Sequence, residues 1–345
     1  MDRENALRIV VVGAGAFGRN HLRVYKELAD AGEPVCLVAV VDPDAAAARE
    51  GAEKFGVPVF ASIAECMAAT EVDAASVCVP TVHHRAAAEE LIAAGVDMLV
   101  EKPLAPSLAD ADAMLALAAD HGRIVQVGHL ERFNPAVTAA RRYLNRPMFF
   151  ESHRLSVFTP RSLDVDVVLD LMIHDLDIVL SLVDSGAAEV RAVGLPVLSA
   201  KVDIANVRVE FENGCVANFT ASRVSTERVR KLRFFQPHQY LSLDFARQDL
   251  LMIDVTAAAG MDPRQLAAMA AMLQPGSHPS AGLSLNKVAV EPGEPLRLEI
   301  VAFLNAVRNR TRPLVSGEDG RAALKLALEI NQSIAMHAAK AGLKI

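Results

Sequence analysis

Two short stretches of this chain carry side chains able to move a proton. One is Glu101-Lys102-Pro103, directly after an apolar segment. The other is Asp170-Leu-Met-Ile-His174-Asp-Leu-Asp177, where acids and an imidazole interrupt a strongly apolar run. A spacing of four puts Asp170 and His174 on one helix face, with Asp177 a turn further on. A carboxylate and an imidazole on an otherwise burying helix need partners or a cleft. A carboxylate neighbour also tunes a histidine near neutral pH, where it works as a base. Oxidation of an alcohol asks for such a base within about 2.6–3.2 Å of the hydroxyl, and for charge that stabilises the developing alkoxide. Each stretch has a plainer reading beside this one. Lys102 is equally a surface lysine in a strand–helix loop, and His174, taken alone, fits a capped, paired core histidine or a bare i,i+4 ion pair slightly better. Zinc is disfavoured, because neither an H-E-x-x-H pattern nor a cysteine ligand accompanies the histidine.

The elements that must position these residues begin with a nucleotide-binding pattern. Arg8 to Val12 reads as a short buried strand. It runs into Gly13-Ala14-Gly15-Ala16-Phe17-Gly18, a helix over 19–29 follows, and a second apolar strand, Val35 to Val41, ends on Asp42. Gly13 permits the tight turn, Gly15 lets the backbone approach a pyrophosphate, and Gly18 lets the helix pack closely on the strand. The helix N-terminus offers free N–H groups and a positive dipole end to the phosphates. Asp42 stands where a carboxylate accepts hydrogen bonds from both adenosine ribose hydroxyls. A 2′-phosphate there meets Asp42 and Asp44 and no cation, so NAD is favoured over NADP.

Strands and helices then alternate. A helix is expected over 45–55, and a short segment, Val57 to Phe60, precedes a helix that Ser62 caps. Asp73 to Val79 is a buried strand ending on Pro80-Thr81, before a helix that holds His83 and His84. Asp97 to Val100 leads into Glu101, and Ser107 caps a helix over 108–120. Arg123 to Val127 is one more strand. This spacing means a parallel, doubly wound sheet, with ligands beyond the carboxyl ends of its strands. Gly13, Asp42, Pro80, Lys102 and Gly128-His129 then share one rim. Past residue 128 the pattern changes: a helix over 131–144, a strand over 148–158, a helix over 165–183, and alternating segments over 190–198, 202–212, 215–224, 229–235 and 240–245. Asn213-Gly214 is a hairpin signal. Residues 259–284 read as an irregular or partly helical insertion, and helices over 296–309 and 321–341 close the chain. The expectation is an α/β protein with two domains. Residues 1–127 form a Rossmann domain, and residues 128–345 form a substrate-binding and oligomerising α+β domain with an antiparallel sheet.

Composition agrees with that division. The chain has 345 residues, 52% hydrophobic and 22% charged, enough for two cores. No apolar run approaches the roughly 20 residues of a membrane span, and the charged start leaves no room for a signal peptide. The four cysteines, Cys36, Cys66, Cys78 and Cys215, form no C-x-x-C pair; three lie in or beside apolar segments and read as buried thiols of a cytoplasmic protein. With a net charge of −7 and no tryptophan, nucleic acid is not the expected partner.

Gly13–Gly18, Pro80-Thr81 with His84, Glu101-Lys102-Pro103, Asp170-x-x-x-His174 and the closing Val315-Ser-Gly-Glu-Asp-Gly320 occur here in one order. Together they resemble the glucose-fructose oxidoreductase/inositol dehydrogenase/rhizopine-catabolism (Gfo/Idh/MocA) family over nearly the whole chain. The resemblance implies a Rossmann domain followed by an open-faced antiparallel sheet, and a homo-dimer or homo-tetramer formed through that sheet. It implies that Lys102 and His174 are the catalytic pair, with Asp170 on the substrate hydroxyls. Gly13, Gly15, Ala16, Phe17, Gly18, Asp42, Pro80, Thr81, His84, Glu101 and Lys102 would hold NAD. Gly128 to Pro135, Leu171 to Asp177 and Thr220 to Val224 are similar to the subgroup that oxidises C3 of UDP-N-acetylglucosamine, a step toward lipid A-type amino sugars. His129, Glu131, Arg132, Asn134, Asp170, His174 and Arg223 would then bind the nucleotide sugar. Arg223, Arg228, Arg230, Lys231 and Arg233 form a basic concentration suited to a diphosphate, and equally to a guarded edge strand or a subunit contact. Other readings are a dehydrogenase of a free polyol, hexose or uronate nucleotide sugar, a cofactor-sensing regulator, and a glycosidase that works by transient oxidation.

Overall fold

The computed structural model describes residues 6–44, 48, 52, 54–159, 165–255, 261–262, 264–265 and 284–343. The helix expected over 45–55 and the insertion expected over 259–284 lie largely outside these residues. The chain divides into two compact units, residues 1–133 with 294–325, and residues 134–293 with 326–345.

In the first unit, mostly apolar runs make strands that are largely buried on both faces. They are β1 (Leu7–Val12), β2 (Val35–Val41), β3 (Val59–Phe60), β4 (Ala74–Val77), β5 (Asp97–Glu101) and β6 (Val125–Gly128). They pair in parallel in the order β3-β2-β1-β4-β5-β6. The order reverses between β1 and β4, the switch point at which doubly wound sheets bind ligands. Helices α1 (Ala16–Asp30), α2 (Ile63–Ala69), α3 (His84–Ala93) and α4 (Leu108–Asp120) connect the strands. Ser62 and Ser107 accept the expected capping hydrogen bonds, from the Glu65 and Asp110 N–H groups.

The same unit takes back residues 294–325. The helix Pro295–Asn309 buries Leu296, Ile300, Phe303, Leu304 and Val307 in one cluster with Ile9, Val11, Leu22, Tyr25 and Leu28. The helix Gly317–Ala341 starts four residues earlier than expected, inside the Val315–Gly320 motif. That motif has a packing reason. A Cβ on Gly317 would lie 2.2 Å from Leu115, and one on Gly320 would lie 2.5 Å from Val127. Asp319 accepts from the Ser316 N–H at 2.8 Å and so fixes the entry to the helix.

The second unit is built on β7 (Phe149–Leu155), β8 (Ala187–Leu195), β9 (Ile204–Phe211), β10 (Val216–Ser222), β11 (Val229–Gln236), β12 (Gln239–Asp244), β13 (Asp249–Asp254) and β14 (Ser284–Val288). Their order is β14-β13-β12-β11-β7-β10-β9-β8. Neighbours run antiparallel except β7 and β10, which run parallel. The expected antiparallel sheet is therefore mixed at its centre. The segment between β7 and β8 crosses over, so the β8-β9-β10 meander meets β7 through its last strand. Buried and open positions alternate along β7 and β9, which packs one face and leaves the other open. Asn213-Gly214 makes the hairpin, with Gly214 at φ +84°.

Two expected helices are broken. Leu130–Phe133 is a short 3-10 turn, and the helix proper is α5 (Pro135–Ala140), because Pro135 has no N–H and Asn134 caps the start. Val168–Met172 is a π turn, and α6 (Ile173–Val183) begins after it. The cysteines are all free. Cys66 and Cys215 are buried and Cys78 is half-buried, but Cys36 on β2 is exposed.

Candidate active site

The glycine-rich turn of the first unit is shaped on both sides. A Cβ on Gly13, whose φ is +98°, would meet the Cys78 carbonyl at 2.7 Å, and one on Gly18 would lie 1.8 Å from the Gly13 oxygen. Gly15 has nothing within 4 Å of that position. The backbone is thus closed toward β4 and open above Gly15. Helix α1 begins there with no side-chain cap and no acid in its first turn. An uncapped positive end over open space fits a diphosphate. At the end of β2, the Asp42 carboxylate accepts from the Ala14 N–H at 2.7 Å and the Asp44 N–H at 2.9 Å. Each of its oxygens retains a lone pair for a ribose hydroxyl. Phe17 and Val82 stand exposed in this unit, at 37% and 68%. Pro80 starts a 3-10 turn through Thr81, and the His83 N–H bonds the Pro80 carbonyl. These residues fit a dinucleotide.

His84 lies below the surface. Its ring nitrogens stand 3.2 Å from the Leu104 carbonyl and 3.0 Å from the Val79 carbonyl, which braces the loops after β4 and β5. Burial, partly offset by these carbonyls, lowers its pKa.

The Glu101-Lys102 turn rests on a buried row of polar groups. Tyr25 Oη lies 2.8 Å from Ser76 Oγ, which lies 3.0 Å from His21 Nδ1. His21 Nε2 is 3.0 Å from Glu101 Oε1, and the other Glu101 oxygen accepts from the Lys102 N–H at 3.3 Å. His21, Tyr25 and Ser76 are completely buried. The Lys102–Pro103 peptide bond is cis, and the Lys102 side chain is half-buried. Lys102 at the strand end was legible in the sequence, but its support was missed. The signal was present: His21 and Tyr25 are four apart on the apolar face of α1, and Ser76 interrupts a strand of small apolar residues. Buried polar groups of this kind require one another.

In the second unit, Asp170 sits inside the π turn and His174 lies in the first turn of α6. The extra residue in a π turn shifts the register, so the two are not set by a plain α-helical spacing. Asp166 accepts from the Val168 and Leu169 N–H groups at 2.9 and 3.0 Å and anchors the turn. Asp175, next to His174, takes a two-pronged bond from Arg154 at 3.0 and 2.8 Å. Both partners are almost fully buried, and the Arg154 guanidinium stacks 5.3 Å from the Phe245 ring centre. Arg223 is buried too. It donates to the Val165 carbonyl at 2.6 Å and lies 3.8 Å from Asp170 and 3.9 Å from Asp203. Burial works to raise the Asp203 carboxyl, but hydrogen bonds from the Ser199 hydroxyl and the backbone of Ser199, Val197 and Leu198 outweigh it and hold the group at about 2. Of the other basic residues, Arg233 pairs with Glu151 at 2.8 Å.

His129, Glu131 and Arg132 are buried in the first unit. Asn134 belongs to the second, where its oxygen accepts from the Ala136 N–H and its amide donates to the Phe245 carbonyl, each at 3.1 Å. The structure thus places the expected residues in two groups. One group is the glycine turn, Asp42, Pro80-Thr81 and Glu101-Lys102. The other is Asp170, His174 and Arg223.

Residues 7–129 match the family model described as "Oxidoreductase family, NAD-binding Rossmann fold", and residues 136–236 match "GFO/IDH/MocA C-terminal domain". The chain is 35% identical to a UDP-N-acetylglucosamine 3-dehydrogenase of Acidithiobacillus ferrooxidans, over 95% of this chain and 97% of that one. A solved structure of that organism's UDP-N-acetylglucosamine 3-dehydrogenase GnnA superposes with a TM-score of 0.84 at 34% identity, covering 95% of this chain and 97% of that one. An inositol 2-dehydrogenase of Corynebacterium glutamicum is 29% identical over 50% of this chain and 53% of that one.

Proposed function

Because this chain belongs to the Gfo/Idh/MocA family of oxidoreductases, with an NAD-binding Rossmann domain, we propose that it oxidises the C3 hydroxyl of UDP-N-acetylglucosamine to the 3-keto sugar. The observation that carries this reading is the near full-length likeness to a UDP-N-acetylglucosamine 3-dehydrogenase. The inositol dehydrogenase likeness reaches only half the chain. NAD, when bound, supplies the hydride acceptor. The glycine turn and the α1 N-terminus hold its diphosphate, and Asp42 takes the adenosine ribose hydroxyls. His174 accepts the C3 hydroxyl proton, and Lys102 holds that oxygen and favours the alkoxide. Asp170, kept in place by Arg223, orients the sugar hydroxyls. His129, Glu131, Arg132 and Asn134 shape the sugar and nicotinamide surroundings. The first unit binds the nucleotide, and the second supplies sugar contacts and, through its open sheet face, a dimer or tetramer contact. The product enters amino-sugar synthesis in the cytoplasm. Among the described residues no helix is long and apolar enough to cross a membrane.

The test is incubation with NAD and UDP-N-acetylglucosamine while the absorbance of reduced nicotinamide is followed. A rise is expected, with NADP a poor substitute. Lys102→Ala and His174→Ala each lower kcat by about 100- to 10,000-fold, the usual contribution of a positioned proton-transfer group. Signal with inositol, a free hexose or a uronate nucleotide sugar, and none with this sugar, overturns the substrate. Either variant at full rate overturns the assigned roles.

A further inference from the structure

We propose that His21 is a positioning residue for the Glu101-Lys102 turn, acting through a one-way row of hydrogen bonds that starts at Tyr25 and ends on the Glu101 carboxylate. The inference rests on the reading above for what Lys102 does, but its geometry stands apart from any choice of substrate.

Donor and acceptor rules order the row. Glu101 as a carboxylate only accepts, so His21 Nε2, 3.0 Å away, carries the proton. In a neutral imidazole Nδ1 is then an acceptor, and Ser76 Oγ, 3.0 Å from it, donates its hydroxyl proton. Ser76 Oγ in turn accepts from Tyr25 Oη at 2.8 Å. Burial pushes the Tyr25 phenol well up, so it keeps the proton this order requires. With the imidazole neutral, every group in the row is matched with one direction of donation, and reversing a single link leaves two donors or two acceptors face to face. Such rows polarise in one sense and strengthen each member.

The carboxylate at the end of the row is fenced on its other sides. A Cβ on Gly128, paired with Glu101 across β5 and β6, would lie 2.8 Å from both carboxylate oxygens. Cys78 Sγ lies within 4.8 Å of a His21 ring nitrogen and of a Glu101 carboxylate oxygen. Burial, and then the negative charges of Glu101 and Glu299, push that thiol well up, so it stands beside Glu101 as an uncharged neighbour. Glu101 therefore has one comfortable position, set by His21 from one side and by the missing Gly128 side chain on the other. Its second oxygen receives the Lys102 N–H. The turn that carries Lys102 inherits that position.

Four substitutions test this. His21→Leu removes both links, His21→Asn keeps a group near Ser76, and His21→Gln restores a donor toward Glu101. With folding checked by thermal midpoint, His21→Leu and His21→Asn are expected to lose about 10- to 100-fold in kcat, the scale of a catalytic group misplaced by up to an ångström. KM for NAD and for the sugar should stay within about threefold, and His21→Gln should recover most of the rate. Gly128→Ala crowds the same carboxylate. It should lower kcat in the native background and add nothing to His21→Leu, since the freed Glu101 then swings aside. Full kcat in His21→Leu, a loss that His21→Gln does not repair, or additive losses with Gly128→Ala overturn the proposal. An independent measurement needs no turnover: 15N NMR of the protein without substrate should show the His21 proton on Nε2. A proton on Nδ1 overturns the donor order. If the wild-type protein oxidises no sugar while the Nε2–H form is found, the substrate reading fails and the row stands.

Discussion

The lysine turn of the first unit and the histidine helix of the second are held by opposite chemistries. In the donor order proposed above, the buried partners around Glu101-Lys102 are uncharged: a phenol, a hydroxyl and an imidazole, with a single carboxylate at the end. Around Asp170 and His174 they are ions: Arg154 with Asp175, and Arg223 near Asp170 and Asp203. Neutral rows give direction at small cost, since each link is worth about 1 kcal/mol net. Ion pairs hold more firmly, but each partner depends on the other, because a buried charge left alone is expensive. The β-α-β unit offers helix–sheet layers in which small polar groups can meet. A helix opening on a π turn has irregular backbone to anchor, and Asp166, Arg154 and Arg223 do that with charge.

The largest effect expected from this contrast follows from breaking the Arg154–Asp175 pair. Arg154→Met leaves Asp175 buried without its cation, at a cost of about 3–5 kcal/mol. The double variant Arg154→Met/Asp175→Leu should recover most of that loss, because two apolar groups of similar volume replace two desolvated ions. Urea midpoints of the wild type, both single variants and the double variant measure this. A single variant that costs under about 1 kcal/mol would show that water reaches the pair, and the two supports would then not differ in kind.

What the sequence revealed divides along the same line. Strand β1, the glycine turn and Asp42 were legible because local rules act on consecutive residues: Gly18 answers a contact within the turn, Gly13 a contact to the end of β4, and Gly15 keeps the space above the turn open. Lys102 was legible as a strand-end residue for the same reason. The row from Tyr25 to Glu101 was not assembled, because it joins α1, β4 and β5 across sequence separations of 51, 55 and 80. In the second unit, Asp170 and His174 were found as polar breaks in an apolar run. The π turn was hidden, because its extra residue depends on Asp166 capping the Val168 and Leu169 N–H groups. The parallel β7–β10 pair was hidden as well. Alternation along a strand fixes which face is buried and leaves open which neighbour the strand meets.

Acid should weaken the charged support by an intermediate amount. Asp203 is completely buried, and its carboxyl lies at about 2, against 3.8 for the free side chain. A carboxyl lowered on folding contributes stability that is fully present above the unfolded value and fades as pH falls through the folded one. The window is therefore from about pH 4 down to about pH 2, and the amount is about 2 kcal/mol at 1.36 kcal/mol per unit. Asp203→Asn should lose this slope. Urea midpoints of the two proteins should differ most above about pH 4 and converge as the pH approaches about 2. Parallel curves for the two proteins across that window would place the acid dependence elsewhere.

The smallest effect belongs to the neutral row. Tyr25→Phe removes its first donor and changes almost no volume. Ser76 keeps its donation to His21 but loses the group that donated to it, so the expected cost is about 1 kcal/mol. No charge changes, and the site is fully buried, so the loss should be the same at low and high salt. The preserved Ser76-to-His21 link keeps the imidazole proton on Nε2, and 15N NMR of the variant should still find it there. A loss as large as that of Arg154→Met, or one that salt removes, would mean the row carries charge. The contrast between neutral and ionic supports would then fail at its weaker end.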